Sequence, residues 1–207
     1  MLKNTLIGMM VLSSISMADE AVNDKNWFME FGYQTSIERM KSGFESTYTD
    51  NGGRGLFREG LTDNLYLEMG KSFQVNDKYS LAPSIGFTQA TLLGDDYHND
   101  AITLELPLFY KTQLWNKQVL VGPSVKFVFY PAMYYNDNEG QVDMGSQSAF
   151  AYGIQSLWGS GDTKFSLGLE NLTSANYSAT QFNGTTKLDA YADMNGLYLN
   201  MGIHIGF

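Results

Sequence analysis

The feature that most constrains this chain is an alternation of side-chain character with period two, repeated from residue 27 to the last residue. It is clearest at the end. Leu197, Leu199, Met201, Ile203, Ile205 and Phe207 fall on one face of an extended chain, and Tyr198, Asn200, Gly202, His204 and Gly206 on the other. Successive β-strand side chains point to opposite sides, so such a segment is a strand with one apolar face and one small or polar face. Seven earlier segments read the same way, at 27–34, 65–73, 79–88, 102–111, 119–130, 149–158 and 164–170, the fifth with the weakest alternation. Helical periodicity is absent, and beyond residue 18 no apolar run approaches the ~20 residues that a membrane helix needs.

Eight strands need connections, and these alternate in length. Short turns rich in turn formers fall at Asn76-Asp77, Asn116-Lys117 and 159–162, while longer polar segments occupy 38–60, 94–100, 131–143 and 173–190. The implied architecture is all-β: an even-stranded antiparallel meander with both chain ends on the short-turn side. Residues 81–87 (LAPSIGF) and 121–127 (VGPSVKF) echo each other at an offset of 40, a similarity of hairpins and not a solenoid repeat. Ahead of the strands, 1–18 reads as a secretory signal. Lys3 is its positive end, 5–15 (TLIGMMVLSSI) its apolar stretch, and Ser16-Met17-Ala18 places small residues at the cleavage positions. The expected organisation is a signal peptide at 1–18 and one barrel domain at 19–207.

Which face meets solvent follows from side-chain size. The apolar face carries bulky Leu, Ile, Phe, Tyr and Trp, whereas the other carries many Gly, Ala and Ser. A narrow eight-stranded lumen requires small residues inside, and a membrane barrel turns its apolar face to lipid. Trp27, Phe73, Tyr79, Trp115, Trp158, Phe165 and Phe207 cluster near the short-turn ends, where an interfacial aromatic girdle belongs. The expectation is an eight-stranded antiparallel up-and-down transmembrane β-barrel.

On these residues the chain resembles the small outer-membrane barrels of Gram-negative bacteria, the group of the OmpA transmembrane domain, OmpX and the Opacity-type proteins. The signal at 1–18 and the terminal strand carry the likeness, a final aromatic preceded by apolar residues two, four and six positions earlier. The resemblance implies outer-membrane localisation after export, contact with outer-membrane lipids and lipopolysaccharide, and a monomer. It further implies that Met201, Ile203, Ile205 and Phe207 are read by the barrel-assembly machinery.

Composition closes off other functions. Lys+Arg 13 against Asp+Glu 22 gives a net charge of −9, which repels nucleic acid, and the absence of cysteine removes disulfides and thiolate sites. His98 and His204 are the two histidines, too few for a His-rich metal site. No cofactor is implied. No serine neighbours His98, and His204 lies at the periplasmic end, so neither suits acyl chemistry on outer-leaflet lipid and a lipid-modifying enzyme is a distant reading.

The unusual constellation is a set of lumen-face charges: Glu30, Glu68, Glu105 and Glu170, with Lys111 and Lys126 as counter-charges. Confined carboxylates in that excess cannot all ionise without cost unless Tyr66, Tyr198 or water donate to them. They form either a structural polar plug or a path for cations or protons. Two acid sets, Asp95, Asp96 and Asp100, and Asp137, Glu139 and Asp143, are either solvated loop tips or holders of divalent cations bridging to lipopolysaccharide. The leading function is a structural, adhesive or surface-interaction role through the long loops. A small-solute or cation pore is the alternative.

Overall fold

A computed structural model describes residues 26–48, 52–92, 97–137 and 140–207, and the export segment lies outside them. Among the described residues fifteen strands are formed: β1 (Trp27–Ser36), β2 (Met40–Tyr48), β3 (Gly52–Gly60), β4 (Thr62–Lys71), β5 (Phe73–Gln74), β6 (Tyr79–Leu81), β7 (Ser84–Leu92), β8 (Tyr97–His98), β9 (Ala101–Leu114), β10 (Lys117–Asp137), β11 (Gly140–Trp158), β12 (Thr163–Thr173), β13 (Asn176–Asn183), β14 (Thr186–Asp193) and β15 (Gly196–Gly206). Eight of them close a ring. β1, β4, β7, β9, β10, β11, β12 and β15 each pair antiparallel with the next, and β15 pairs back onto β1 from Phe28↔Gly206 to Ser36↔Tyr198. The fold is an eight-stranded antiparallel up-and-down barrel, and closure satisfies the edges that an open sheet would leave unpaired.

The two faces fall as side-chain size requires. Leu65, Leu67, Met69, Ile85, Phe87, Ile102, Leu104, Val125, Phe150, Tyr152 and Ile154 are exposed on the outer wall, far more contiguous apolar surface than water tolerates. The lumen face is small where a large neighbour must fit. Gly32 and Gly202 are a cross-strand pair, and a methyl group on either would collide with the ring of Tyr66, which lies across them.

Local chemistry sets the turns. In the first, the Asn76 side chain accepts from the Lys78 and Tyr79 backbone amides at 2.9 and 3.0 Å, an Asx turn. The second sits one position earlier than the sequence suggests. Its central residues are Trp115 and Asn116, both with positive φ (49° and 61°), so Lys117 already opens β10. Positive φ at both central positions matches the right-handed twist of the flanking strands. Nor does the third strand run unbroken: Ala82-Pro83 splits it into β6 and β7.

The greater departure is at the other end. Within 38–60 and 173–190, expected as polar loops, the described residues form the antiparallel pairs β2–β3 and β13–β14, and β14 pairs with β2 to make a separate four-stranded sheet in the order β13-β14-β2-β3. Nor are 131–137 and 140–143 a loop. β10 and β11, with 21 and 19 residues, run about twice the 9–11 residues that cross a bilayer. Their register shifts between Tyr130 and Met133 and again between Met133 and Tyr134. From Ser124 up to the bulge the buried side chains of β10 are even-numbered (Ser124, Lys126, Val128, Tyr130), and above it odd-numbered (Met133, Tyr135). The extra residue keeps the apolar side facing the same core as the strands leave the barrel. That core joins Met40, Met133, Val142, Met144, Ala175, Tyr177, Leu188, Ala190, Ala192 and Met194 to the barrel-top residues Tyr130, Leu172 and Tyr198. The barrel thus carries a folded cap at the end opposite its termini.

Candidate functional site

From the termini upward the lumen holds three layers. The lowest is apolar: Phe28, Ala82, Phe109 and Leu157 pack together with Leu120 against them. Beside it His204 stacks on Phe28, ring centroids 4.5 Å apart, and its Nδ1 lies 3.2 Å from Glu30 Oε2. The Tyr66 hydroxyl donates to the other oxygen of Glu30 at 3.0 Å.

The middle layer is built on Lys126. Its ammonium lies 3.1 Å from Glu105, 3.2 Å from Glu170 and 3.5 Å from Glu68, each of the four side chains buried. Register brings them together. Lys126 stands opposite Glu105 across β9–β10, Glu105 opposite Ser84 across β7–β9, and Glu68 opposite Gly86 across β4–β7. Two of the carboxylates have further donors: Ser84 Oγ donates to Glu68 at 3.0 Å, and Gln34 Nε2 donates to Glu170. Asn64 Nδ2 in turn donates to Gln34 Oε1 at 2.6 Å. Glu105 has no second side-chain partner among the described residues.

The sequence-derived charge set therefore divides. Lys126 gathers Glu68, Glu105 and Glu170, while Glu30 pairs with His204 and Tyr66. Lys111 is apart from both, exposed at the short-turn end where its backbone amide donates to Lys78 O at 2.8 Å. In the strand, Phe109 of the apolar plug lies between Lys111 and Glu105 of the charge layer. Tyr198 is not a donor to the carboxylates either. Its hydroxyl donates to Met194 O at 2.9 Å and reaches Met40 Sδ at 3.0 Å. Sequence reasoning missed Gln34, Ser84 and the pairing of His204. Parity had placed all three on the lumen face, yet nothing in a single strand gives the height at which its neighbours stand.

The upper layer is the cap core. Between it and the charge layer lies a cavity of about 30 Å³ whose wall includes Gln34, Asn64, Asn99, Thr103, Lys126, Glu170 and Tyr198. A second cavity of about 10 Å³ lies below, beside Glu30, Glu68, Glu105 and His204. Neither is more than a few waters in size. On the cap's own surface the Lys187 ammonium and the Thr180 hydroxyl donate to Asp189 and hold its carboxyl below the usual range. Among the described residues no three His, Cys, Asp or Glu are arranged to hold a metal, and Asp95, Asp96 and Glu139 lie outside them. Of the terminal-strand residues, Met201 and Phe207 are exposed on the outer wall and Ile203 and Ile205 half-buried there.

No family model and no curated protein matches the chain. Solved structures do. The outer-membrane protein OprG from Pseudomonas aeruginosa is similar at 13% identity and a TM-score of 0.51, over 88% of this chain and 96% of that one. Neisserial surface protein A matches at 8% identity and 0.44 over 86% and 97%, and the outer-membrane protease OmpT from Escherichia coli at 8% and 0.44 over 92% and 100%. The fold is that of the outer-membrane β-barrel proteins.

Proposed function

We propose that this protein is a closed barrel of the bacterial outer membrane that holds a folded interaction surface outside the cell, and that it is not a pore. The observation that carries the reading is the cap: the long segments form a four-stranded sheet sharing one buried core with the barrel's upper end. A pore needs neither such a core nor a lumen filled by Lys126, its three carboxylates and the plug around Phe109. The exposed apolar wall supports placement in lipid, with the short turns and both ends toward the periplasm and the cap outward. Outer-membrane lipids and lipopolysaccharide surround it there, and the barrel-assembly machinery reads Met201, Ile203, Ile205 and Phe207. The partner docks on the cap, whose hairpin tip presents the exposed Phe182 beside the Asn183-Gly184 turn. Catalysis has no place in this reading, because His204 is buried and engaged by Glu30.

Two measurements test it. The folded protein in a planar bilayer gives no regular conductance steps, and an epitope inserted after Gly184 is labelled on intact cells. Regular single-channel steps would overturn the closed-barrel reading, and an epitope reached only after permeabilisation would overturn the orientation.

A further inference from the structure

The cavity above Lys126 has two properties that need one explanation. Its wall includes three side chains with an oxygen that no group among the described residues satisfies: Asn64 Oδ1, Asn99 Oδ1 and Thr103 Oγ1. All three side chains are more than nine-tenths buried. Below them the charges do not balance. Glu68, Glu105 and Glu170 share the single ammonium of Lys126, leaving an excess of two carboxylates in a compartment closed by apolar layers on both sides.

Three occupants can be weighed. Water satisfies the oxygens and leaves the charge unbalanced. Protons on the carboxylates correct the charge and, with water in the cavity to meet the oxygens, form the competing occupancy. A monovalent cation coordinated by oxygen gives those oxygens a partner and offsets one of the two excess charges, leaving the second to a proton shared among the carboxylates. We propose that this cavity binds one monovalent metal cation of the size of sodium, seated against Asn64, Asn99, Thr103 and Glu170. Amide, hydroxyl and carboxylate oxygens suit hard cations. A single carboxylate in the wall favours a monovalent ion, since divalent sites rely on several charged ligands. The volume, about 30 Å³, admits one small ion with one water.

The test is made on the mature barrel refolded from urea into neutral lipid vesicles, so that the ion is present as the lumen closes. Samples contain NaCl or choline chloride at equal ionic strength and pH. The expected result is slower unfolding in sodium, about tenfold if the working concentration is about ten times Kd. The difference is lost in the Asn99→Leu, Thr103→Val double variant. Equal rates in the two salts overturn the site, as does a sodium effect that the double variant retains. An unfolding rate that follows pH and ignores sodium assigns the missing charge to protons and likewise overturns it. Should the double variant not fold, crystals of the wild-type protein soaked in a thallous salt decide. Anomalous density in this cavity supports the site, and its absence there refutes it.

Discussion

Replacing Lys126 with Met removes the one ammonium that three buried carboxylates share. At an effective dielectric near 20, an ion pair at 3.1–3.5 Å is worth on the order of 5 kcal/mol before desolvation is subtracted. The desolvation of Lys126 is recovered on its removal, but that of the carboxylates is not. Breaking a buried pair by deleting one partner typically costs ~3–5 kcal/mol, and protonation of a carboxylate limits the loss to the lower part of that range. The loss is not spread evenly. Glu68 keeps the Ser84 hydroxyl and Glu170 keeps the Gln34 amide, whereas Glu105 is left without a side-chain partner. Adding Glu105→Gln should therefore recover more stability than adding Glu68→Gln. The assay is reversible urea titration in lipid vesicles at neutral pH, followed by tryptophan fluorescence and heat-modifiable gel migration. If Lys126→Met costs less than about 1 kcal/mol, or if the two Gln changes rescue it equally, the ammonium is not the keystone of the layer.

Val125 neighbours Lys126 in β10 but is 56% exposed on the outer wall, so Val125→Lys should cost about 2–4 kcal/mol at mid-membrane and gain nothing from Glu105→Gln; a neutral result in the same titration returns the apolar wall to water. Leu188, 1% exposed in the cap core, should lose ~2–5 kcal/mol on change to Ala, seen as faster amide exchange in β2, β13 and β14 with β1, β4 and β15 unaffected; uniform acceleration across the barrel would show that the cap is not a separate unit. Deleting Phe207 should leave export intact and reduce the amount assembled in the outer membrane, and wild-type levels in membrane fractions would refute the terminal-strand assignment.

The barrel was legible in the sequence because lipid on one side and a narrow lumen on the other impose the same alternation on every strand. Val125, Phe150 and Ile154 could be assigned outward, and Lys126, Ala151 and Gly153 inward, from parity alone. Height within the lumen was not legible. Glu30 and Glu68 stand directly opposite each other across β1–β4, yet one belongs to His204 and the other to Lys126. Cross-strand register and the reach of flexible side chains decide that, and neither is written in one strand. The cap was hidden for a different reason. Its core draws on Ala175, Ala190, Ala192, Met194 and Met133, small or unbranched residues that give little β signal when set among Asn, Ser, Thr and Asp.

The bulge at 131–132 joins these two levels. A strand with uninterrupted parity that leaves the membrane must either keep its even-numbered side inward or turn its apolar row to water. In β10 the even-numbered side beyond Tyr130 would present Ala132, Tyr134 and Asn136, and the odd-numbered side holds Met133 and Tyr135. The inserted residue exchanges the two, so that Met133, fully buried, and Tyr135 continue the layer begun by Val128 and Tyr130. β11 makes the matching change between Met144 and Ala149, with Gly145 supplying the positive φ of 69°. Restoring strict alternation by deleting Pro131 and Ala132 together, which sets Met133 directly after the inward Tyr130, would therefore turn Met133 and Tyr135 outward. The barrel, whose pairing below Tyr130 is independent of the bulge, should still close. The cap should lose its dock on β10 and β11, and protease should cleave within 173–190 on the folded barrel. A deletion variant whose cap stays protease-resistant would show that β2 and β14 hold the second sheet without help from the long hairpin.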